Sequence, residues 1–189
     1  MTRIVAGSAG GRRLAVPPGQ GTRPTSDRIR EALFSTLDAL TDLDRARVLD
    51  LYAGSGAVGL EALSRGAAHA LLVESDARVA RVIRDNARAL GLAGAQVVTE
   101  RVQRLAAGPP PGPPYDVIFA DPPYALSDAD LNAVLADLAR YGWVAPGAVV
   151  AVERRRDAAE PVWPEPLKPG RQRRYGDTAL WYGHAPSVP

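Results

Sequence analysis

Two short stretches carry residue types whose spacing could do chemistry. One is Asp50-Leu-Tyr-Ala-Gly-Ser-Gly-Ala-Val-Gly59, and the other is Asp121-Pro122-Pro123-Tyr124. In the first, Gly54, Gly56 and Gly59 fall in the pattern G-x-G-x-x-G. Glycines there permit a tight turn and let a ligand approach bare backbone, with a helix N-terminus behind it. That pattern alone fits a dinucleotide or another adenosine cofactor. Asp50 narrows the choice, because a carboxylate just before the turn repels a pyrophosphate and attracts an ammonium or sulfonium cation. Glu74 ends the next apolar run, LLVE, where an acid can accept both hydroxyls of a ribose. An adenosine, a ribose diol and a cationic amino-acid tail together describe S-adenosylmethionine.

The second stretch suits an amino group. Two successive prolines fix φ and remove two backbone donors, which leaves carbonyls and a rigidly held carboxylate facing the cleft. The Asp121 carboxylate can accept one hydrogen of an exocyclic amine and the Pro122 carbonyl the other. Drawing both hydrogens aside frees the nitrogen lone pair for in-line attack on a methyl group. Tyr124 offers a ring on which a flipped-out base can stack. A D-P-P-Y turn by itself is ordinary. Its place after an apolar run, 71 residues beyond Asp50, is what makes it specific.

These residues need a scaffold that brings them together. Apolar runs bounded by turn residues occupy 47–52, 70–74, 95–99, 115–120 and 147–153, and read as strands. Amphipathic stretches near 57–65, 77–90 and 128–140 read as helices, with a shorter helical turn after 100. Runs such as VLDLY and DVIFA are continuously apolar, the mark of parallel strands buried on both faces. In such open sheets ligands bind beyond the carboxyl ends of the strands, where strand order reverses. That rule places Asp121 close to the Asp50 loop.

Flanking segments complete the layout. Residues 3–7 and 12–16, around Gly7, Gly10 and Gly11, read as a β-hairpin. The following GTRPTSDRIREALFSTLDAL offers Thr25 or Ser26 as an N-cap for a helix with Ile29, Leu33, Phe34, Leu37 and Leu40 at helical spacing. GPPPGPP at 108–114 is a stiff loop. RQRRYGDTALWYGH is a terminal hairpin turning at Gly176-Asp177. Trp143, Trp163 and Trp181 read as core or edge packing. The expectation is an α/β fold: residues 1–45 as a basic hairpin and helix, residues 46–189 as the catalytic domain.

Composition narrows the chemistry further. The 189 residues contain no cysteine and two histidines, His69 and His184. Disulfides, Cys-ligated zinc, iron–sulfur clusters and thiolate nucleophiles are excluded, and no metal is expected. Methylation through a cysteine adduct or a radical cluster is closed with them, so transfer to nitrogen remains. No apolar run reaches the length of a membrane span and no signal-peptide core follows Met1, so a cytoplasmic protein is expected. Net charge is +2, unevenly spread. Residues 1–30 hold six arginines against one acid, and 154–174 hold seven basic groups against three, while 31–153 hold ten arginines against sixteen acids. Two basic ends around an acidic middle can meet a polyanion.

RIVAGSAGGRRL, TRPTSDRIREALF, VLDLYAGSGAVGLEALSRGA and DPPY together resemble the RsmD family of 16S rRNA guanine-N2 methyltransferases, along nearly the whole chain. The resemblance implies a class I, Rossmann-like sheet of seven mostly parallel strands with helices on both faces. It implies that Asp50, Ala53, Gly54, Gly56 and Glu74 hold S-adenosylmethionine, with Thr25 near its methionine end. Asp121, Pro122, Pro123 and Tyr124 would hold the target guanine. At the adenine, where the family often has Asp or Asn, Arg101-Val102-Gln103 stands here, so the Val102 backbone or Gln103 takes that role. The basic front, with Arg3, Arg12, Arg13, Arg23 and Arg28, would grip 16S rRNA within a small-subunit particle, the enzyme acting as a monomer. Among alternatives, a DNA amino-methyltransferase shares D-P-P-Y but usually carries a larger recognition region. A protein-glutamine methyltransferase favours Asn at position 121. A nicotinamide oxidoreductase leaves Asp50 and D-P-P-Y unexplained, and a non-catalytic RNA-binding module explains only the basic ends.

Overall fold

Continuously apolar strands can be buried only between two layers of helices, and the chain follows that requirement. A computed structural model describes residues 2–18 and 26–188, so Arg23 and Thr25 lie outside the described residues. After α1 (Ser26–Leu40) come β1 (Arg47–Leu51), α2 (Ala57–Ser64), β2 (His69–Glu74), α3 (Ala77–Ala89), β3 (Ala95–Thr99), α4 (Val102–Ala106) and β4 (Tyr115–Ala120). Then follow α5 (Asp128–Arg140), β5 (Val144–Arg155), β6 (Lys168–Tyr175) and β7 (Thr178–His184). The strands form one seven-stranded sheet in the order β3-β2-β1-β4-β5-β7-β6. The first five are parallel, and β7 and β6 are antiparallel additions. This is the seven-stranded, mostly parallel sheet that the resemblance implies.

Apolar residues on the two faces of the sheet form two cores. On one face α1, α2 and α3 pack through Leu33, Phe34, Leu60 and Ile83 onto Val48, Leu72 and Val117. On the other, α4 and α5 pack through Val102, Leu131, Leu135 and Leu138 onto Leu49, Leu71 and Ile118. Trp143 is fully buried there and its indole N–H donates to the Gly108 carbonyl at 2.8 Å, which ties down the proline-rich loop. Trp163 and Trp181 pack half-buried against the same core.

Most element ends fall within one residue of the sequence reading, and β5 and the front hairpin differ from it more. β5 runs from Val144 to Arg155, longer at both ends than 147–153, because Tyr115 of β4 pairs with Val144 and β7 pairs along it as far as Arg155. The front hairpin follows the expected path, with the Ile4 N–H donating to the Arg12 carbonyl at 2.8 Å and the Leu14 N–H to the Thr2 carbonyl at 2.9 Å. It has a single bridge, Arg3 to Arg13, rather than two strands. Four of its other donors turn to side chains of α2 and α3. The Glu61 carboxylate accepts the N–H groups of Val5 and Ala6 at 2.7 and 3.0 Å. Ser64 Oγ accepts from Ala9 at 2.9 Å, and Asn86 accepts from Ala15 at 2.9 Å.

Glu61 is the centre of that attachment. It is fully buried on α2 and also meets two guanidinium groups, Arg65 at 2.9 Å and Arg30 at 3.5 Å. Arg30, itself buried on α1, donates to the Arg3 carbonyl and to Asp27. One carboxylate therefore joins the hairpin, α1 and α2. Removing it leaves two backbone donors without an acceptor and the buried Arg30 with Asp27 as its remaining carboxylate. Glu61→Ala should lower unfolding free energy in urea by about 3 kcal/mol or more. A loss below about 1 kcal/mol would place the attachment elsewhere.

Candidate active site

The sheet order reverses between β1 and β4, which run side by side with Leu51 level with Ala120. Each strand delivers one chemical stretch at its carboxyl end. A cavity of about 670 Å³ opens there, lined by Asp50, Ala53, Gly54, Glu74, Asp121 and Pro122. Pro123 lines it as well. Residues 71 positions apart in the chain are thus brought to one wall.

The turn after β1 is shaped by close contacts. Gly54 and Gly56 have φ of 57° and 81°, and the Ala53 N–H donates to the Val73 carbonyl of β2 at 2.9 Å. A Cβ on Gly59 would lie 2.7 Å from Leu72 Cδ2, so only glycine lets α2 approach β2 so closely. That approach carries the Gly59 N–H to the buried Asp50 carboxylate, which accepts it at 2.9 Å. Tyr52 lines the cavity with φ of 57°, a left-handed conformation that costs a non-glycine residue energy.

Electrostatics in the cavity favours a cationic ligand. Burial pushes the Asp50 carboxyl up to about 8, the Gly59 N–H opposes that, and the nearby charges of Asp121 and Glu74 add to it. Burial likewise raises the half-buried Glu74, against backbone N–H groups of Asp76, Ser75 and Gly54. A carboxylate held back from ionising chiefly by burial, and further by acidic neighbours, gains from an incoming positive charge.

The model of a family described as "Conserved hypothetical protein 95" matches residues 2–184. The ribosomal RNA small subunit methyltransferase D of Escherichia coli K12 is 38% identical over 179 residues, 94% of this chain and 86% of that protein. The chain belongs to the RsmD family. A putative rRNA methyltransferase, YlbH, of Bacillus subtilis is 34% identical over 182 residues, covering 94% of this chain and 96% of that one. The solved structure of the putative methyltransferase yhhF from Escherichia coli superposes with a TM-score of 0.85 at 35% identity, over 99% of both chains. The fold is therefore that of the class I methyltransferases, and the RsmD-family cofactor is S-adenosylmethionine. The cavity fits it. Asp50, Gly54 and Glu74 all line it, Glu74 at the carboxyl end of β2, which gives acidic groups for a cationic tail and a ribose diol.

Other expected site residues stand at varying distances from the cavity. Gly56 is buried beneath the turn as the residue preceding α2. Val102 is buried at the start of α4 and Gln103 is half-buried beside it, and neither lines the cavity. Tyr124 is 44% exposed just outside, with the Arg155 guanidinium over its ring at 5.6 Å. Arg3, Arg12, Arg13 and Arg28 are exposed on the RsmD-family front, and Arg12 reaches the Ala89 carbonyl at 2.8 Å. Among the described residues no group of three or more acids and histidines could hold a metal. Arg30, Tyr52, Asp76 and Glu153 also line the cavity and were missed from sequence. Glu153 was within reach, since it lies toward the carboxyl end of a parallel strand, where such sites form.

Asp50 should leave a mark on stability. In the window from about 4 to about 8 the folded, ligand-free protein holds a proton on Asp50 that the unfolded chain has lost. Stability therefore falls as pH rises through that window. Asp50→Asn should flatten the decline in urea titrations, and identical slopes in the two proteins would contradict it.

Proposed function

We propose that this protein transfers a methyl group from S-adenosylmethionine to the exocyclic N2 of a guanine in 16S rRNA. The reading is carried by the meeting of Asp121-Pro122 with Asp50 in one cavity, at the switch point of a methyltransferase sheet. It is supported by family membership and by the names of relatives that act on small-subunit rRNA.

When bound, S-adenosylmethionine supplies a methyl group made electrophilic by the adjacent sulfonium. The chain supplies orientation and charge. Asp50 and the Gly54–Gly59 turn hold the cationic tail, and Glu74 holds the ribose hydroxyls. Asp121 accepts one amino hydrogen of the flipped guanine and the Pro122 carbonyl accepts the other. Held in this way, the nitrogen lone pair would be turned out of conjugation with the ring and presented to the methyl group. Transfer would release S-adenosylhomocysteine, and the alkylated nitrogen would lose its proton to solvent. No strong general base is required, because alkylation itself makes that proton acidic. Tyr124 stacks on the base.

The basic front segment of residues 1–45 would grip the RNA through Arg3, Arg12, Arg13, Arg23 and Arg28, presenting a small-subunit particle to a monomeric enzyme. Residues 46–189 would carry the reaction.

Purified protein with labelled methyl donor should modify small-subunit particles or their rRNA, and not duplex DNA. Labelling of DNA but not rRNA would replace this reading with a DNA amino-methyltransferase. Asp121→Ala should cut transfer by about a thousandfold, while affinity for S-adenosylhomocysteine stays within about threefold. Equal loss of both would make Asp121 a structural residue.

A further inference from the structure

Charge is sorted along the top of the sheet. Glu153 and Arg155 are two residues apart on β5, so both side chains leave the same face. Asp121 follows Ala120, the register partner of Val152, and so stands level with Glu153 on that face. The face continues across the antiparallel strands. Glu153 pairs with Leu180 and Arg155 with Thr178 on β7, and these pair in turn with Arg173 and Tyr175 on β6. Two neighbouring rows result: Asp121 and Glu153, which line the cavity, lead across Leu180 to Arg173 at the sheet edge, and Arg155 leads across Thr178 to Tyr175. Acids face the cavity and exposed arginines stand beyond them.

That order has a consequence for a polyanion. Carboxylates in the cavity wall repel phosphate and admit a neutral base, while arginines at the rim attract the backbone left outside. Arg155 stands at the boundary. Its guanidinium lies 5.6 Å from the centroid of the Tyr124 ring, on which the target base would stack. Its ion-pair partner, Asp157, meets Nε at 3.5 Å, and the two side chains are 61% and 79% exposed. An ion pair so open to water holds the guanidinium weakly. A phosphate, which a guanidinium grips through two hydrogen bonds, is the stronger partner.

We propose that Arg155 and Arg173 hold the RNA backbone beside the target nucleotide, Arg155 yielding the Tyr124 ring to the incoming base and taking a phosphate. This rests on the function proposed above and adds a contact surface on the side of the cavity formed by β5 and β6. The base enters past acids, and the phosphate stays with arginines. β7 separates Arg155 on β5 from Arg173 on β6, so Arg173 meets the backbone beyond Arg155.

The test uses the full chain and an RNA that the wild-type protein methylates. Arg155→Ala should raise KM for that RNA about tenfold and lower the slope of log KM against log salt by about one, with S-adenosylhomocysteine affinity unchanged. Arg155→Lys, which keeps the charge, should retain the slope and recover most of the KM. Arg173→Ala should shift both in the same direction by a smaller amount. An unchanged KM and slope in Arg155→Ala would overturn the proposal and leave the methyltransferase reading intact. A fall in kcat alone would overturn it too, assigning Arg155 to ordering Tyr124. A wild-type protein that methylates no RNA would instead overturn the reading beneath it.

Discussion

A single buried carboxylate, Glu61, holds the front of the molecule to its catalytic half. It satisfies two backbone donors of the hairpin and two guanidinium groups while having no contact with solvent. Its helix, α2, begins at the glycine turn after β1, so the same eight-residue element carries both the cofactor-side turn and the anchor. Hairpin, α1 and cavity are consequently one mechanical unit. Ile4 and Leu14 of the hairpin are buried in the same core as Leu60 and Leu72, and Arg30 reaches from Glu61 to the cavity wall. An ion-paired group of this kind is costly to bury and costlier to break, so it fixes geometry more than it adds stability.

The cavity itself is a deliberate concentration of like charge. Asp50, Glu74, Asp121 and Glu153 converge on it, and Asp50 is held well above the ordinary carboxylate range by burial first and then by the charges of Asp121 and Glu74. Such an arrangement is unfavourable until a cation enters, which turns the cost of folding the site into affinity for a sulfonium ligand. The glycine at 59 is part of the same device. Without a Cβ, α2 closes on β2 and brings one backbone N–H to Asp50, the most buried acid of the cavity. Tyr52, strained in a left-handed conformation between these parts, marks where the backbone turns from strand to site.

Much of this was legible in the sequence because it is local or follows from parallel-sheet topology. The Gly54–Gly59 spacing, Asp50 before it, and Asp121 after an apolar run each announce a strand end, and the switch-point rule joins them. Other parts were hidden because their partners are distant. Glu61 sits in GLEALS and reads as an ordinary helical acid, and only the hairpin's unpaired N–H groups 55 and 56 residues away show its role. The hairpin's glycines were readable, but its donors turn to Glu61, Ser64 and Asn86 instead of forming a regular ladder. The extension of β5 to Arg155 depends on pairing with β7, so the row from Glu153 to Arg173 emerges only with the register. Val102 and Gln103 came from the resemblance alone, and both stand clear of the cavity lining.

The proposed reaction is direct transfer to an exocyclic nitrogen of guanine held by Asp121 and Pro122. Identifying the methylated nucleoside by mass spectrometry, after enzymatic digestion of rRNA treated with this protein and methyl donor, tests it most directly. The account predicts N2-methylguanosine, absent when Asp121→Ala replaces the wild type. A methyl group on a ribose hydroxyl, a ring carbon or another base would contradict it.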